Sequence, residues 1–502
     1  MVHRATGRAH QSPGGSDPAV VIAGGGPTGM MLAAELRVAG VDALIVERRA
    51  TQDLDGSRAG GLHPRTIEVL DQRGVAERFT GAGQAGSVFG FGQSVFPTTG
   101  LPTRHPYVLA LWQRDFEQIM AAWVAELGVT TRRSCEVVGF AEDDRGVTVH
   151  LSDGASLRAG YLVGCDGGRS VVRKAAGIDF PGLAPSTSWL IAEVDLDDTP
   201  PLGFTHTSEG SHAIGRRGPD EPYRLVIQQA YVAGAPDPGM AELRAALVHV
   251  YGTDFAVRRA SWISRFTDAT RQAVAYRKGR VLLAGDAAHI HPPQGGQGMG
   301  TGIQDAVNLG WKLAQVVAGQ SPEALLDTYH EERHPVGARV LENTRAAVAI
   351  GIQDEQHHAL REVVGRLLTV EPARQQLASS LFALDIHYDL GVGHPLLGRR
   401  MPDLDLHLDG RPGRVYDLLH EARPVLLDLD GGDGFDAAGW ADRVRLVHAR
   451  TDRTCDLPLL GSVDLPPAVL IRPDGHVAWT GRLSDADLTV ALERWFGPAT
   501  SA

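Results

Sequence analysis

Three glycine-bearing turns hold the residues of this chain whose types and spacing could do chemistry. The first is Gly24-Gly25-Gly26-Pro27-Thr28-Gly29, set between the apolar run Ala19–Ala23 and the helical-looking Met30–Ala39. It is G-x-G-x-x-G in a strand–turn–helix setting. Gly24 permits the tight turn, Gly26 lets backbone approach a pyrophosphate, and Gly29 lets the helix pack on the strand. The helix N-terminus then faces the phosphates. A second strand ends in Glu47, 18 residues after Gly29, near the distance expected for a carboxylate on a ribose hydroxyl. Such an acid disfavours a 2′-phosphate, so this turn predicts FAD or NAD.

The second turn is Cys165-Asp166-Gly167 after the apolar Tyr161–Gly164, with Arg169 and Arg173 following. The third runs from Val281 through Gly285-Asp286, His289, His291, Pro292 and Pro293 to Gly296, Gly298 and Met299. The proline pair forbids a helix there, and the helical-looking Ile303–Val317 follows. Strand, rigid loop and helix start in that order suit an extended anionic cofactor. Between the turns, Arg58 is a candidate diphosphate ligand, since a guanidinium pairs with two phosphate oxygens. For Arg58 a solvated surface arginine is the alternative. Gln113, opening a helix that runs to Leu127, could touch the cofactor or lie exposed. His289 and His291 could carry protons or be structural.

A chain of 502 residues exceeds one ordinary core, so two or three domains are expected. The net charge of −12 argues against binding nucleic acid or an anionic membrane. The cysteines, Cys135, Cys165 and Cys455, are far apart, which fits a reducing, cytoplasmic compartment and neither a metal site nor a disulfide framework. No apolar run is long enough for a membrane span. Residues 1–18 read as a disordered tail. From Phe180 to about Arg277, Ser188–Leu196, Gly210–Arg216, Tyr223–Tyr231 and Trp262–Thr267 alternate as antiparallel strands, with Met240–Tyr251 as a helix. This sheet interrupts the dinucleotide fold and would roof a cofactor. Ser321–Leu384 reads as continuous helix and Asp385–Arg400 as a linker. Beyond it, strands at Val415–Leu418, Arg423–Leu429, Val444–Ala449 and Ala468–Ile471, a hairpin and a last helix resemble a thioredoxin-like domain that lacks CxxC.

The ordered triple of turns resembles the single-component FAD-dependent aromatic hydroxylases, the para-hydroxybenzoate hydroxylase type, over roughly Ala19 to His387. Arg58-Ala-Gly-Gly-Leu-His-Pro-Arg-Thr-Ile-Glu-Val-Leu-Asp-Gln-Arg-Gly74 is similar to the members that tailor angucyclines and anthracyclines. The resemblance implies an α/β architecture: a Rossmann-like FAD-binding domain (19–180 and 278–390, with its following helices), an inserted antiparallel substrate sheet (181–277), and a thioredoxin-like C-terminal domain (400–502). It implies FAD, NAD(P)H as a transient co-substrate without its own domain, and O₂ adding to the reduced flavin at C4a. The resulting hydroperoxide would hydroxylate a polycyclic phenol. By resemblance, Gly24, Gly26, Pro27, Thr28, Gly29, Glu47 and Arg48 would hold the ADP half, and Arg58, Gln113 and Asp286 the diphosphate and ribityl. Gly296, Gly298 and Met299 would face the flavin pyrimidine edge, Pro293 the substrate side, and Asp166 would mark a segment used by FAD and NAD(P)H. Tyr223 is a candidate substrate contact; no acid–base residue is assigned. Baeyer–Villiger oxygen insertion, antibiotic inactivation by hydroxylation and a non-catalytic flavin-binding role stay open. The expected partners are an aromatic small molecule and O₂, with homodimerisation left open.

Overall fold

The computed structural model describes residues 17–91, 94–431, 435 and 437–500. The expected tail lies outside them apart from Asp17 and Pro18. The central sheet has six strands, in the order Arg277–Lys278, Val281–Leu283, Tyr161–Gly164, Val20–Ala23, Ala43–Val46, Thr130–Arg132. All are parallel except the edge strand Arg277–Lys278. The three middle strands are wholly buried, which is why they read as unbroken apolar runs. The chain first moves outward from Val20–Ala23 on one side, then returns to build the other. That reversal opens a crevice at the carboxyl ends of the strands. All three turns emerge there: after Ala23, after Gly164 and after Leu283.

Between the second and third turns lies an antiparallel sheet of five strands, Gly203–Thr207, Gly210–Gly215, Tyr223–Ala230, Thr187–Leu196 and Val257–Thr267 in spatial order. The strand Gly203–Thr207 was not visible as a pattern in the sequence. A strand's side chains alternate between faces. Leu190, Ala192, Val194, Leu225 and Ile227 bury one face under Leu243 and Leu247 of the helix Met240–Tyr251. The opposite face carries Trp189, Ile191 and Glu193, paired in register with Gln228, Val226 and Arg224 and with Phe266, Ser264 and Trp262. Tyr223 shares the parity of Leu225, so the expectation that it touches substrate is corrected. It packs against the helix-side core, with the Arg216 guanidinium 4.7 Å over its ring.

The helical region is less continuous than its composition suggested. It forms Asp327–Ile350, Glu355–Leu368 and Glu371–Leu381, interrupted at Gly351 and Thr369. The segment 385–400 is packed and is not a free linker. Tyr388, Leu396 and Arg400 are buried, and Arg400 pairs with Glu68 at 3.0 Å.

The C-terminal unit is a four-stranded sheet in the order Arg445–His448, Val425–Asp428, Ala468–Ile471, Val477–Gly481, closed by the helix Asp487–Phe496. Its first pair is parallel and the others antiparallel. The expected strand at Val415–Leu418 is instead a short 3₁₀ turn, Tyr416–Leu419. Cys455 is a buried free thiol that burial pushes up to about 11, so it is a packing residue and not a disulfide exchanger. Among the described residues no helix is long and apolar enough to cross a membrane.

Candidate functional site

The first turn is shaped on two sides and open on the third. Gly24 has φ +105°, and a Cβ there would lie 2.4 Å from the Cys165 carbonyl oxygen. A Cβ on Gly29 would lie 2.0 Å from the Gly24 oxygen. A Cβ on Gly26 would meet nothing within 4 Å. The first helix, Pro27–Val38, has Gly26 as N-cap and receives no side-chain cap, so its first amides face that opening. Pro27 at the helix start gives up an amide that needs no partner there.

Thr28 ties this turn to the third. Its Oγ1 would lie 2.6 Å from a Cβ on Gly285 and 2.4 Å from one on Gly302, so both positions admit only glycine while Thr28 is there. The loop helix, Gly298–Val317, begins five residues before the helical-looking Ile303 and also lacks a side-chain cap. Two uncapped helix N-termini therefore converge on the crevice, each a partial positive charge. Asp286 is exposed on the turn Gly285–Ala287, and Pro293 and Gly296 are exposed in the following loop. Arg173 braces this turn by donating to the Ala287 carbonyl at 2.8 Å.

Each acid expected at the site has a definite setting. Glu47 is buried at the end of its strand, accepting from the Gly25 amide at 2.6 Å and the Arg49 amide at 2.8 Å. Burial alone would raise its pKa; those amides and the Arg49 guanidinium outweigh it and hold the carboxyl below its usual range. Asp166 caps the short helix after it, accepting from Val171 and Val172 at 2.7 and 3.1 Å through one oxygen. Its other oxygen is buried without a protein partner.

The basic residues near the first turn have distinct settings. Arg48 is exposed, and its neighbour Arg49 is the one turned inward, on Glu47 at 3.1 Å and Glu117 at 2.9 Å. Alternation along the extended chain sends adjacent side chains to opposite sides. Arg58 is exposed and donates to Ser264 on the roof at 3.1 Å, while its carbonyl accepts from Arg224 at 2.7 Å. Gln113 accepts from the Ala59 amide at 3.3 Å and donates to Glu117 at 2.9 Å, tying its helix to the Arg58 loop. Trp262 covers Gly56, where a Cβ would come within 2.3 Å of the indole. The roof face with Trp262, Ser264 and Arg224 therefore lies against the Arg58 loop.

Sequence reasoning missed Glu117, Arg173, Asp305 and His63. The first three are polar residues inside helices, where composition alone does not separate a buried partner from a solvated one. His63 Nε2 would sit 3.4 Å from a Cβ on Gly296, and its ring packs edge-on against Phe89 and Phe382 at 5.2 and 5.1 Å. His291 lies as close to Gly298. His289 is buried, and its Nε2 bonds Asp305 at 2.7 Å.

Burial pushes His63 down to about 4, and His476 in the C-terminal unit to about 4 as well. Both therefore gain a proton more readily in the unfolded chain, near the ordinary histidine value of about 6.5. Their effect is absent above about pH 6.5 and grows as pH falls toward 4. The thermal midpoint of the protein is expected to fall between pH 7 and 5. His63→Gln should flatten that slope; an unchanged slope would show that His63 does not contribute.

The residues present fit a flavin dinucleotide. There is open space over Gly26, one uncapped helix N-terminus for the phosphates and a second for the flavin ring, and an orphaned Asp166 oxygen able to accept from a hydroxyl. Comparison with known proteins agrees. Residues 17–344 match the FAD binding domain family model, and residues 394–499 the aromatic-ring hydroxylase C-terminal model. A rifampicin monooxygenase of Streptomyces venezuelae is 45% identical over 490 residues, covering 96% of this chain and 99% of that protein. The 12-dehydrotetracycline 5-monooxygenase/anhydrotetracycline 6-monooxygenase of Streptomyces rimosus is 42% identical, covering 95% and 99%. The crystal structure of CabE, an aromatic hydroxylase from angucycline biosynthesis, superposes with a TM-score of 0.89 at 40% identity, covering 97% of this chain and all of that one. With the three turns converging on one crevice and both family models matched, the chain belongs to the FAD-binding aromatic-ring hydroxylases and is an FAD-dependent monooxygenase.

Proposed function

We propose that this chain hydroxylates a polycyclic aromatic substrate of polyketide type, using NAD(P)H and O₂. The observation that carries the reading is a pair of aromatic clusters, one on the roof sheet and one abutting the third turn. One is the roof face, with Trp189 stacked on Phe266 at 5.3 Å and Ile191 beside them. The other is the cluster of His63, Phe89 and Phe382, which abuts Gly296. Flat fused rings suit such surfaces. The relatives named for tetracycline and angucycline chemistry support that substrate class.

In this reading Gly24, Gly26, Pro27, Thr28, Gly29 and Glu47 hold the ADP half, with Glu47 on the ribose. Arg58, Gln113 and Asp286 lie along the diphosphate and ribityl, and Asp166 borders the first turn. FAD supplies the reductive activation of O₂ that side chains cannot. The amides of Gly298 and Met299 at the start of the loop helix would favour negative charge on the bound cofactor ring. Pro293 and Gly296 shape the substrate side of the loop, and the aromatic walls exclude water.

The test is NADH and NADPH oxidation by the purified holoenzyme with and without anhydrotetracycline, angucycline-type phenols and rifampicin. A ligand that accelerates oxidation and gains one oxygen by mass supports the reading, and NMR then separates a ring hydroxyl from an inserted ester oxygen. If none does so while the flavin is bound, a polyketide-type substrate is ruled out for that panel. The likeness to rifampicin monooxygenase favours a second reading, oxygenation of an antibiotic, which the rifampicin arm decides.

A further inference from the structure

A continuous file of buried polar side chains links the C-terminal unit to the cofactor turn. Asp305, in the loop helix, accepts from the Gly285 amide at 3.2 Å and from His289 Nε2 at 2.7 Å. Its other oxygen accepts from Arg333 Nε at 2.8 Å. Arg333, in the helix Asp327–Ile350, also donates to the Thr301 carbonyl and to the Tyr388 hydroxyl, both at 3.3 Å. That hydroxyl lies 3.5 Å from Asn308 Nδ2, at the limit of a hydrogen bond, and the Arg472 guanidinium lies 5.3 Å over the Tyr388 ring, which joins the two ends directly. Asn308 then donates to Glu332 at 2.6 Å and to Asp474 at 3.3 Å. Lys312 donates to Glu332 at 2.9 Å, and Arg472 forks onto Glu332 at 2.6 and 2.7 Å while also holding Asp474.

The file is charge-balanced. Asp305, Glu332 and Asp474 face Lys312, Arg333 and Arg472, and all six are buried. Burial pulls Lys312 down to about 8, which leaves it mainly protonated at neutral pH. In a low-dielectric interior every member of such a network depends on its neighbours, and a missing one leaves the next unsatisfied. Arg472 and Asp474 belong to the C-terminal unit, while Asp305 grips the backbone of the turn itself. Plain docking contacts exist elsewhere, for example Arg104 on Asp403 at 2.9 Å.

We infer that the C-terminal unit is a positioning element of the flavin site. Through Arg472, Asp474, Asn308, Tyr388 and Arg333 it fixes Asp305, and Asp305 fixes the Gly285-Asp286 turn. This gives a domain without a redox motif a task in cofactor binding.

The test uses the full chain. Tyr388→Phe removes one hydroxyl and no charge; Asp474→Asn changes the far end of the file. Both should raise the FAD dissociation constant by about 2- to 30-fold, the span that 0.5–2 kcal/mol of coupling produces. Both should also speed amide hydrogen exchange in residues 285–304 of the apoprotein. Arg104→Ala, which loosens docking outside the file, should do neither. Wild-type FAD affinity and exchange in Tyr388→Phe would overturn the inference even if Asp474→Asn does not fold. So would an Arg104→Ala variant that alters the flavin turn as much.

Discussion

Gly26→Val is expected to fold and to lose FAD. The two neighbouring motif glycines are closed by the protein's own backbone, at 2.4 Å for Gly24 and 2.0 Å for Gly29, whereas the Gly26 position opens on empty space. Its φ of −81° is ordinary for any residue. The added side chain therefore costs the apoprotein little and occupies the path of the cofactor backbone. An overpacking cost of about 1–3 kcal/mol in the complex corresponds to a loss of affinity of about 5- to 160-fold. Gly29→Val should instead yield unfolded protein, because no side-chain rotation relieves a contact with the Gly24 carbonyl. Thermal melts of the apoproteins together with flavin titration distinguish the two. A Gly26→Val protein that binds FAD as the wild type does would place the cofactor elsewhere.

Glu332→Ala is expected to cost about 3–5 kcal/mol of stability, the range for breaking a buried ion pair by removing one partner. Glu332 accepts from Arg472, Lys312 and Asn308 in a site closed to solvent. Burial works against its charge, but Arg472 and Lys312 outweigh burial and hold the carboxyl at about 2. Removing it strands Lys312 and leaves Arg472 with Asp474 alone. Arg78→Ala, which breaks the exposed pair with Glu126, should leave stability almost unchanged. Trp311 and Trp495 lie 6.3 Å apart across the junction of the loop helix and the C-terminal unit, so their fluorescence reports the loss. A Glu332→Ala chain as stable as wild type would show that water or rearrangement satisfies the cations left behind.

Much of the site was legible because its signals are local. A glycine forced by backbone proximity, a strand ending in an acid, and prolines before a helix each need only a few adjacent residues. Gly24, Gly26, Gly29, Glu47, Asp166, Gly285, Asp286 and Gly298 are all of this kind, and the fold brings them to one end of the central sheet. The family resemblance rested on the same local turns and on their order.

Other features depend on contacts between distant parts of the chain. Arg48 and Arg49 are equivalent as sequence, and only the direction of the chain after Glu47 turns Arg49 inward. Tyr223 and Arg224 lie on one predicted strand, but which face meets the cofactor domain depends on where the helix Met240–Tyr251 docks. The segment 385–400 looks like a linker because glycine, histidine and proline weaken local structure; it is ordered by Glu68 and His476, far away in sequence. The three turns, their fit to a dinucleotide and the inserted sheet are legible in the chain alone, since these follow from short-range sterics and periodicity. The buried file from Arg472 to Asp305 exists only once the chain is packed. A charged residue in a helix is usually solvated, and burial with an opposite charge is a property of the packed chain.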